Sequence, residues 1–489
     1  MSTYSAAMTD LAHQAYRAGL YGPAEAVLRL IVGQGLRDAH VVYFIGHLCH
    51  LQGRMDDARD FLTLALELDP DNGNAHNDLG ETLRAMGRNQ DAVAHFERAI
   101  SLQPHLAYPY GNLAATLIAL GRHAEALRWA GRSLTQAADK AVAHCDMGSV
   151  LGRLGRPQEA ITQYARALAL RPGDPRATYF QALMRLTLGD LPTAWDAHEA
   201  RLRLPNGVAG RRLYPQPWWR GEDDITGRRI LLHAEQGLGD TIHFVRYAPM
   251  VAARGAIVSV EVQPGLRNLL RGMPGIAAIH EVGEPIPPFE LQCSLMSLPA
   301  AFRTSLADIP ATVPYAHPAP DRSAVWQKRL GPWQRMRVGI AWSGRDSHPD
   351  DRFRSIPLTR LGWLAERSDI ECHVIQREVR DPDRAAMAKL PGLADHSALL
   401  TDFGETAALL AQLDLIISVD TAVVHLAGAM GKPTWLLLAH SADWRWMTGR
   451  LDSPWYPTLR LFRQTARDDW GPVLADMGRQ LDLWSVRHA

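Results

Sequence analysis

Three short segments of this 489-residue chain carry residues whose types and spacing could do chemistry, and each follows an apolar run. The first is EQGLGD, residues 235–240. Gly237 and Gly239 let backbone come close to a ligand, and Asp240 stands where the next helix begins. A carboxylate there caps the helix, worth about 1 kcal/mol, or takes part in catalysis, and the two jobs are compatible. The second is Ser343-Gly344-Arg345, followed by Arg354. Hydroxyl, glycine and guanidinium groups after a strand suit phosphate oxygens, which arginine binds bidentately; an exposed basic loop has the same composition. The third is Asp420-Thr421, with His425 one turn further on. It opens a helix, so free backbone N–H groups offer a site for an anion such as a diphosphate. Capping by Asp420 and an ordinary interior place for His425 are the alternatives.

The elements that must hold these segments alternate between strand and helix. Short apolar runs at 229–234, 257–262, 276–282 and 289–295 read as strands, with helices at 241–254 and 266–271. After a proline-rich stretch at 309–320, strands are expected at 337–342, 371–376, 415–419 and 434–438, with helices at 358–367, 405–413 and 421–430. Such alternation builds parallel sheets. It divides the region into two Rossmann-like domains, 228–320 and 321–489, with ligands at the carboxyl ends of the strands. Before them, residues 205–227 read as a linker that packs, with Trp218 and Trp219 as docking anchors.

The chain before residue 205 has a different rhythm. Glycines recur every 34 residues at Gly19, Gly53, Gly87, Gly121, Gly155 and Gly189, each followed five residues later by Ala24, Ala58, Ala92, Ala126, Ala160 or Ala194. Pro70, Pro104 and Pro172 keep the same phase. A glycine ends the first helix of each unit, a small residue lets the second pack close, and a proline resets the chain. This pattern resembles the tetratricopeptide (TPR) repeat. Its helical hairpins stack into a solenoid with a concave face, here over residues 1–204. On the first helices Asp78, Asn112 and Asp146 recur in phase, a ladder that could accept amides of an extended peptide; solvated helix surface is the alternative. Phe44 and Phe180 interrupt it. His40, Tyr43, His47 and His50 share one helix without a carboxylate or cysteine nearby in sequence, which favours groove surface over metal binding.

Composition narrows the classes. With 52 Lys plus Arg against 52 Asp plus Glu, bulk charge does not drive nucleic-acid or membrane-surface binding. No apolar run reaches the ~20 residues of a membrane span, and no signal peptide is expected at the N-terminus. Four separated cysteines suit a reducing cytoplasm better than a disulfide framework. Asp402-Phe403-Gly404 spells a kinase motif without that fold's other motifs. The pairs Asp69/Asp71 and Asp381/Asp383 lack further metal ligands, so a metal-dependent transferase is not expected.

The string DTAVVHLAGAMGKPTWLLL, residues 420–438, resembles the DTxxxHLAxAxGxP signature of family 9 glycosyltransferases, the heptosyltransferase-like group. GLGDTIHFVRYAP, 237–249, is similar to that family's N-terminal GxGD loop. The whole resembles bacterial TPR-glycosyltransferase proteins. The resemblance implies a GT-B fold, a nucleotide-sugar donor and no metal or other cofactor. It also implies Asp240 as general base. Ser343, Gly344, Arg354, Asp420, Thr421 and His425 would contact the donor, Gln376 would meet the nucleotide base, and Trp444 and Arg445 would close the pocket or belong to the core. Ala422 stands where the family usually has glycine, and its phosphate-loop lysine has no counterpart. The function expected is inverting transfer of a sugar to an acceptor, a protein presented by the TPR groove. The alternatives are a non-catalytic adaptor and a glycan- or lipid-directed transferase recruited through the repeats.

Overall fold

The computed structural model describes residues 3–33, 35, 37–204, 214–346 and 351–488. Twelve helices come first: Thr3–Arg17, Tyr21–Gly33, Ala39–Leu51, Met55–Leu68, Gly73–Ala85, Asn89–Leu102, Tyr108–Ala119, His123–Gln136, Lys140–Arg153, Pro157–Leu170, Pro175–Thr187 and Leu191–His198. They form six hairpins of the TPR kind. The in-phase glycines take φ between +73° and +83° at the hairpin turns, and the in-phase alanines are fully buried. A side chain at Gly121 would meet no atom within 4 Å, so only backbone strain opposes it. Gly121→Ala is expected to cost about 1–2 kcal/mol, read as a lower melting temperature of the repeat array; an unchanged melting temperature would contradict the left-handed turn.

Two compact units form, Met1–Gln181 and Ala182–Ala489. The break falls inside the helix Pro175–Thr187, ahead of the boundary expected at 204/205. The reason is burial. Ala182, Leu186, Leu191, Ala194 and Trp195 share one apolar core with Trp219, Ile230, Leu232 and Trp444, so the last hairpin belongs largely to the second unit. Residues 205–213 of the expected linker lie outside the described residues. Beyond them the segment adds to a sheet: Trp219 N–H donates to the Gln292 carbonyl at 2.8 Å, and Gln292 N–H donates to that of Pro217 at 3.0 Å. Trp219 is fully buried, an anchor within the unit.

The second unit holds two parallel sheets. Strands β1 (Arg229–His233), β2 (Ile257–Val262), β3 (Ala278–Glu281) and β4 (Leu291–Ser294) lie in the order β3-β2-β1-β4. Strands β5 (Met336–Ala341), β6 (Ile370–Val374), β7 (Leu393–Ala394), β8 (Leu415–Val419), β9 (Thr434–Leu438) and β10 (Leu459–Arg463) follow the order β10-β9-β8-β5-β6-β7. Strand order reverses beside β1 and between β5 and β8, and the chemistry-bearing segments follow those three strands. Open parallel sheets place ligands at such reversals.

Several elements differ from expectation. The edge strands β7 and β10 and the helices Pro320–Leu330, Asp381–Met387 and Gly471–His488 were not marked by the apolar pattern. The helix expected at 358–367 is two 3-10 turns, Leu358–Arg360 and Gly362–Leu364. Gly362 sits where a side chain would press on Leu390. The helix expected at 241–254 divides into Leu238–Phe244, a 3-10 turn and Ala248–Ala253, the last begun by Pro249. No described helix is long and apolar enough to cross a membrane.

Candidate active site

The segment after β1 turns directly into the helix Leu238–Phe244. Asp240 is its third residue, and its Oδ2 accepts the Gly237 N–H at 2.8 Å. The capping role is therefore present. Its Oδ1 accepts a hydrogen bond from Arg445 Nη2 at 2.5 Å. Burial pushes the Asp240 carboxyl above the usual carboxylate range; Arg445 pulls it back and Asp443 adds to the rise.

Gly239 explains how the first and third segments meet. A Cβ there would lie 2.9 Å from His425 Cδ2 and 3.3 Å from Ala422 Cα. Its absence lets this helix seat on the helix Ala422–Ala429 that follows β8. At the start of the latter, Thr421 is extended and makes no capping bond, and its Oγ1 is enclosed without a hydrogen bond. The Asp420 carbonyl accepts from Arg354 Nη1 at 2.8 Å. That guanidinium lies against Gly344, where any side chain would collide with it. The glycine, the arginine and the helix N-terminus thus form one surface at the ends of β5 and β8. Gly344 N–H donates to Ser355 Oγ at 3.2 Å, and Arg380 holds the Gly344 carbonyl at 2.9 Å. Residues 347–350 of this loop lie outside the described residues, and Arg345 is exposed.

Burial, then Asp443, pushes the Asp420 carboxyl up; Trp446, Arg354 and Arg445 oppose the rise. A carboxyl raised on folding stabilises the fold below the ordinary aspartate range of about 4. That contribution is lost as pH rises through the folded value. Asp420→Asn is therefore expected to raise the melting temperature at pH 8 relative to the unchanged chain, with the gap closing toward pH 4. A gap that widens on acidification would reverse the assignment.

Three of the expected donor contacts, His425, Gln376 and Ser343, have polar atoms engaged within the protein. His425 is 7% exposed, with Nδ1 3.0 Å from the Tyr456 hydroxyl and its ring stacked on Trp446. His243 reaches the same hydroxyl at 3.0 Å. Burial, with Arg445 and Arg246 nearby, holds His425 far below the usual imidazole range, so it is a neutral interior residue. Gln376 spends its amide on the strand ends: Oε1 accepts the N–H groups of Trp342 and Ser343 at 2.9 and 3.3 Å, and Nε2 donates to Ser343 Oγ and the Glu378 carbonyl. It clamps β5 to β6, and Ser343 is buried in that clamp. Trp444 is core, edge-on to Trp195 at 5.6 Å and Trp455 at 6.1 Å. Arg445 does reach the site. Its Nη1 donates to Asp443 Oδ1 at 2.9 Å, and its plane lies over Trp444 and Phe244.

Sequence reasoning missed the support beneath the first segment. Arg201 binds Glu235 through two parallel bonds of 2.8 and 2.7 Å. Ser294 Oγ donates to the same carboxylate at 2.5 Å, and Arg201 also donates to Ser297 Oγ. Both charged side chains are almost fully buried. Glu235 lies in the flagged segment, but nothing in the sequence marks Arg201 as its partner. Arg246 was missed as well; it is buried among Tyr315, Trp455 and Tyr456, donating to the Tyr315 hydroxyl and to carbonyls of His243 and Trp455. The discounted motifs have structural jobs. Asp402 caps the helix Phe403–Ala411 and pairs with Arg322. Asp383 accepts from Trp342 Nε1 and Leu358 N–H.

In the first unit the ladder residues are engaged with neighbours. His47 Nδ1 lies 2.8 Å from Asp78, Asn112 donates to Glu81 and Asn77, and Arg176 donates to Asp146 at 2.5 Å. Asp78 and Asp146 are 8% and 5% exposed. They brace adjacent repeats, leaving little of either carboxylate open to peptide amides.

Families of known proteins match both parts of the chain. Residues 38–105, 105–173 and 145–207 match tetratricopeptide-repeat models. Residues 389–468 match the model for glycosyltransferase family 9 (heptosyltransferase); Asp240 lies outside that match. The molecule is a TPR solenoid followed by an α/β region with two parallel sheets, consistent with GT-B-like Rossmann domains. It is similar to Protein FlbA of Caulobacter vibrioides, 26% identical over 339 residues, covering 63% of this chain and 56% of FlbA. The chain thus spans about half the length of that curated relative. Similar solved structures include a thermophilic TPR protein of Thermus thermophilus, with 19% identity over 37% of this chain and 99% of that one, TM-score 0.34. MamA of Desulfovibrio magneticus has 16% identity over 36% and 99%, TM-score 0.32.

Proposed function

We propose that this chain is an inverting glycosyltransferase that uses a nucleotide-diphosphate sugar and a protein acceptor held through the TPR array. One observation carries the reading. A carboxylate on the helix after β1 and the helix N-terminus after β8, with Arg354 beside it, stand at one junction between the two sheets. The acceptor hydroxyl attacks the anomeric carbon from the Asp240 side and gives its proton to that carboxylate. The bond from the anomeric carbon to the diphosphate oxygen breaks on the opposite face, which inverts the centre. Charge then develops on the leaving diphosphate. The amides around Thr421 and the Arg354 guanidinium are preorganised to stabilise it, so the chemistry runs without a metal.

The test is a mass-spectrometric screen of nucleotide sugars retained by the purified chain, followed by intact-mass measurement of candidate acceptor proteins incubated with the retained donor. A retained donor and a sugar-sized mass increase are expected. A chain that binds no nucleotide and transfers nothing would be an adaptor. Transfer to a small glycan that survives loss of acceptor-protein modification would move the acceptor from protein to glycan.

A further inference from the structure

Asp240 and Arg445 come from different sheets of the second unit. Asp240 opens the helix after β1, and Arg445 lies in the turn Trp444–Trp446 after β9. The guanidinium has little freedom. It is 6% exposed, stacked over Trp444 at 4.5 Å and Phe244 at 5.2 Å, and shared between Asp240 and Asp443. Asp240 in turn has one oxygen on Gly237 N–H and the other on Arg445. A partly buried carboxylate takes up a proton more readily when no cation faces it, and a protonated carboxyl cannot receive one from an acceptor hydroxyl.

We propose that Arg445 is the positioning residue for sugar transfer, aiming the Asp240 carboxylate and holding it as an anion while the two sheets are together. This rests on Asp240 being the base. The other groups facing Asp240 are accounted for: Asp443 and Glu235 add like charge, and Arg445 opposes them. On the helix packed against it, His425 is neutral. Asp420, at the start of that helix, is itself raised by burial and by Asp443.

The arrangement predicts opposite effects on Asp240 from removing Arg445 and from removing Asp443. In Arg445→Gln the carboxylate loses its cation, and its titration midpoint is expected to rise by about one unit or more. Arg445→Lys restores most of that shift. In Asp443→Asn a like charge disappears and Asp240 is left as the carboxylate in ion-pair contact with Arg445, so the midpoint falls. The midpoint is read in the full chain by infrared titration of the carboxylate stretch, with the Asp240 band assigned by its loss in Asp240→Asn. The acid limb of kcat/KM against pH should move in the same direction in each variant. A pair that only holds the fold together would lower the melting temperature and leave midpoint and acid limb in place, and that result would overturn the proposal. Shifted midpoints in a protein that transfers no sugar would overturn the transferase reading while leaving the ion pair's hold on Asp240 standing. Should Arg445→Gln fail to fold, the lysine and Asp443→Asn variants still give the two signs.

Discussion

Asp240→Asn is expected to lower kcat for sugar transfer by about 10²–10⁴-fold, the range a positioned general base supplies. Binding of the nucleotide diphosphate should change less than a few-fold. Asparagine keeps an oxygen that can accept the Gly237 N–H, so the helix start survives. It loses the basic site that takes the acceptor's proton. It also loses the charge that draws Arg445, which still has Asp443 as partner. The two measurements are turnover under saturating donor and calorimetric titration with the nucleoside diphosphate. Turnover within tenfold of the unchanged chain would remove Asp240 from the reaction. Loss of nucleotide affinity in parallel with turnover would make it a structural residue of the donor pocket.

The largest stability effect is expected beneath the site, at Arg201. Arg201→Ala leaves the Glu235 carboxylate buried with only Ser294 Oγ as its remaining side-chain partner among the bonds described above. Removing one member of such a pair costs about 3–5 kcal/mol, because the survivor keeps its desolvation penalty without compensation. Arg201 also pairs with Glu199, which is part-exposed, so replacing both buried partners, as Arg201→Met with Glu235→Leu, should recover part of the loss, since apolar groups of similar volume carry no such penalty. All tryptophans except Trp129 lie in the second unit, so denaturant unfolding followed by tryptophan fluorescence reports on that unit. A single variant within about 1 kcal/mol of the unchanged chain, on the scale used for exposed pairs, would show that water reaches the carboxylate.

The pair also shows which core covers the last hairpin, something that reading along the chain does not reveal. Residues 182–204 keep the repeat phase through Gly189 and Ala194, so sequence joins them to the solenoid. Their apolar face is nevertheless buried in the second unit, with Trp195 donating to the Thr304 carbonyl and Arg201 reaching Glu235. Periodicity reports a helix's own geometry and is silent on which neighbour covers it.

Legibility of the site divided along similar lines. Asp240, Thr421 and Arg354 follow strands whose apolar runs are plain, and strand ends in parallel sheets are where ligands bind. Their grouping was therefore foreseeable. His425, Gln376 and Trp444 stand equally near strand ends, yet their side chains are spent on Tyr456, on the amides of β5 and on an aromatic core. Which way a side chain turns, and whether its hydrogen-bonding groups are already used, depends on residues far away in the chain.

The sequence by itself determined the repeat solenoid, because glycine at positive φ and alanine at a close helix contact are local demands repeated every 34 residues. It also determined the parallel sheets apart from the edge strands β7 and β10, because the other strands stand on short apolar runs. Only the tertiary structure decided that Gly239 seats one site-bearing helix on the other, that Arg445 crosses from the second sheet to hold Asp240, and that Arg201 underpins the loop between them. Those three depend on long-range proximity and on burial, which strengthens a charge pair by excluding water. Neither quantity is written in the spacing of residues along the chain.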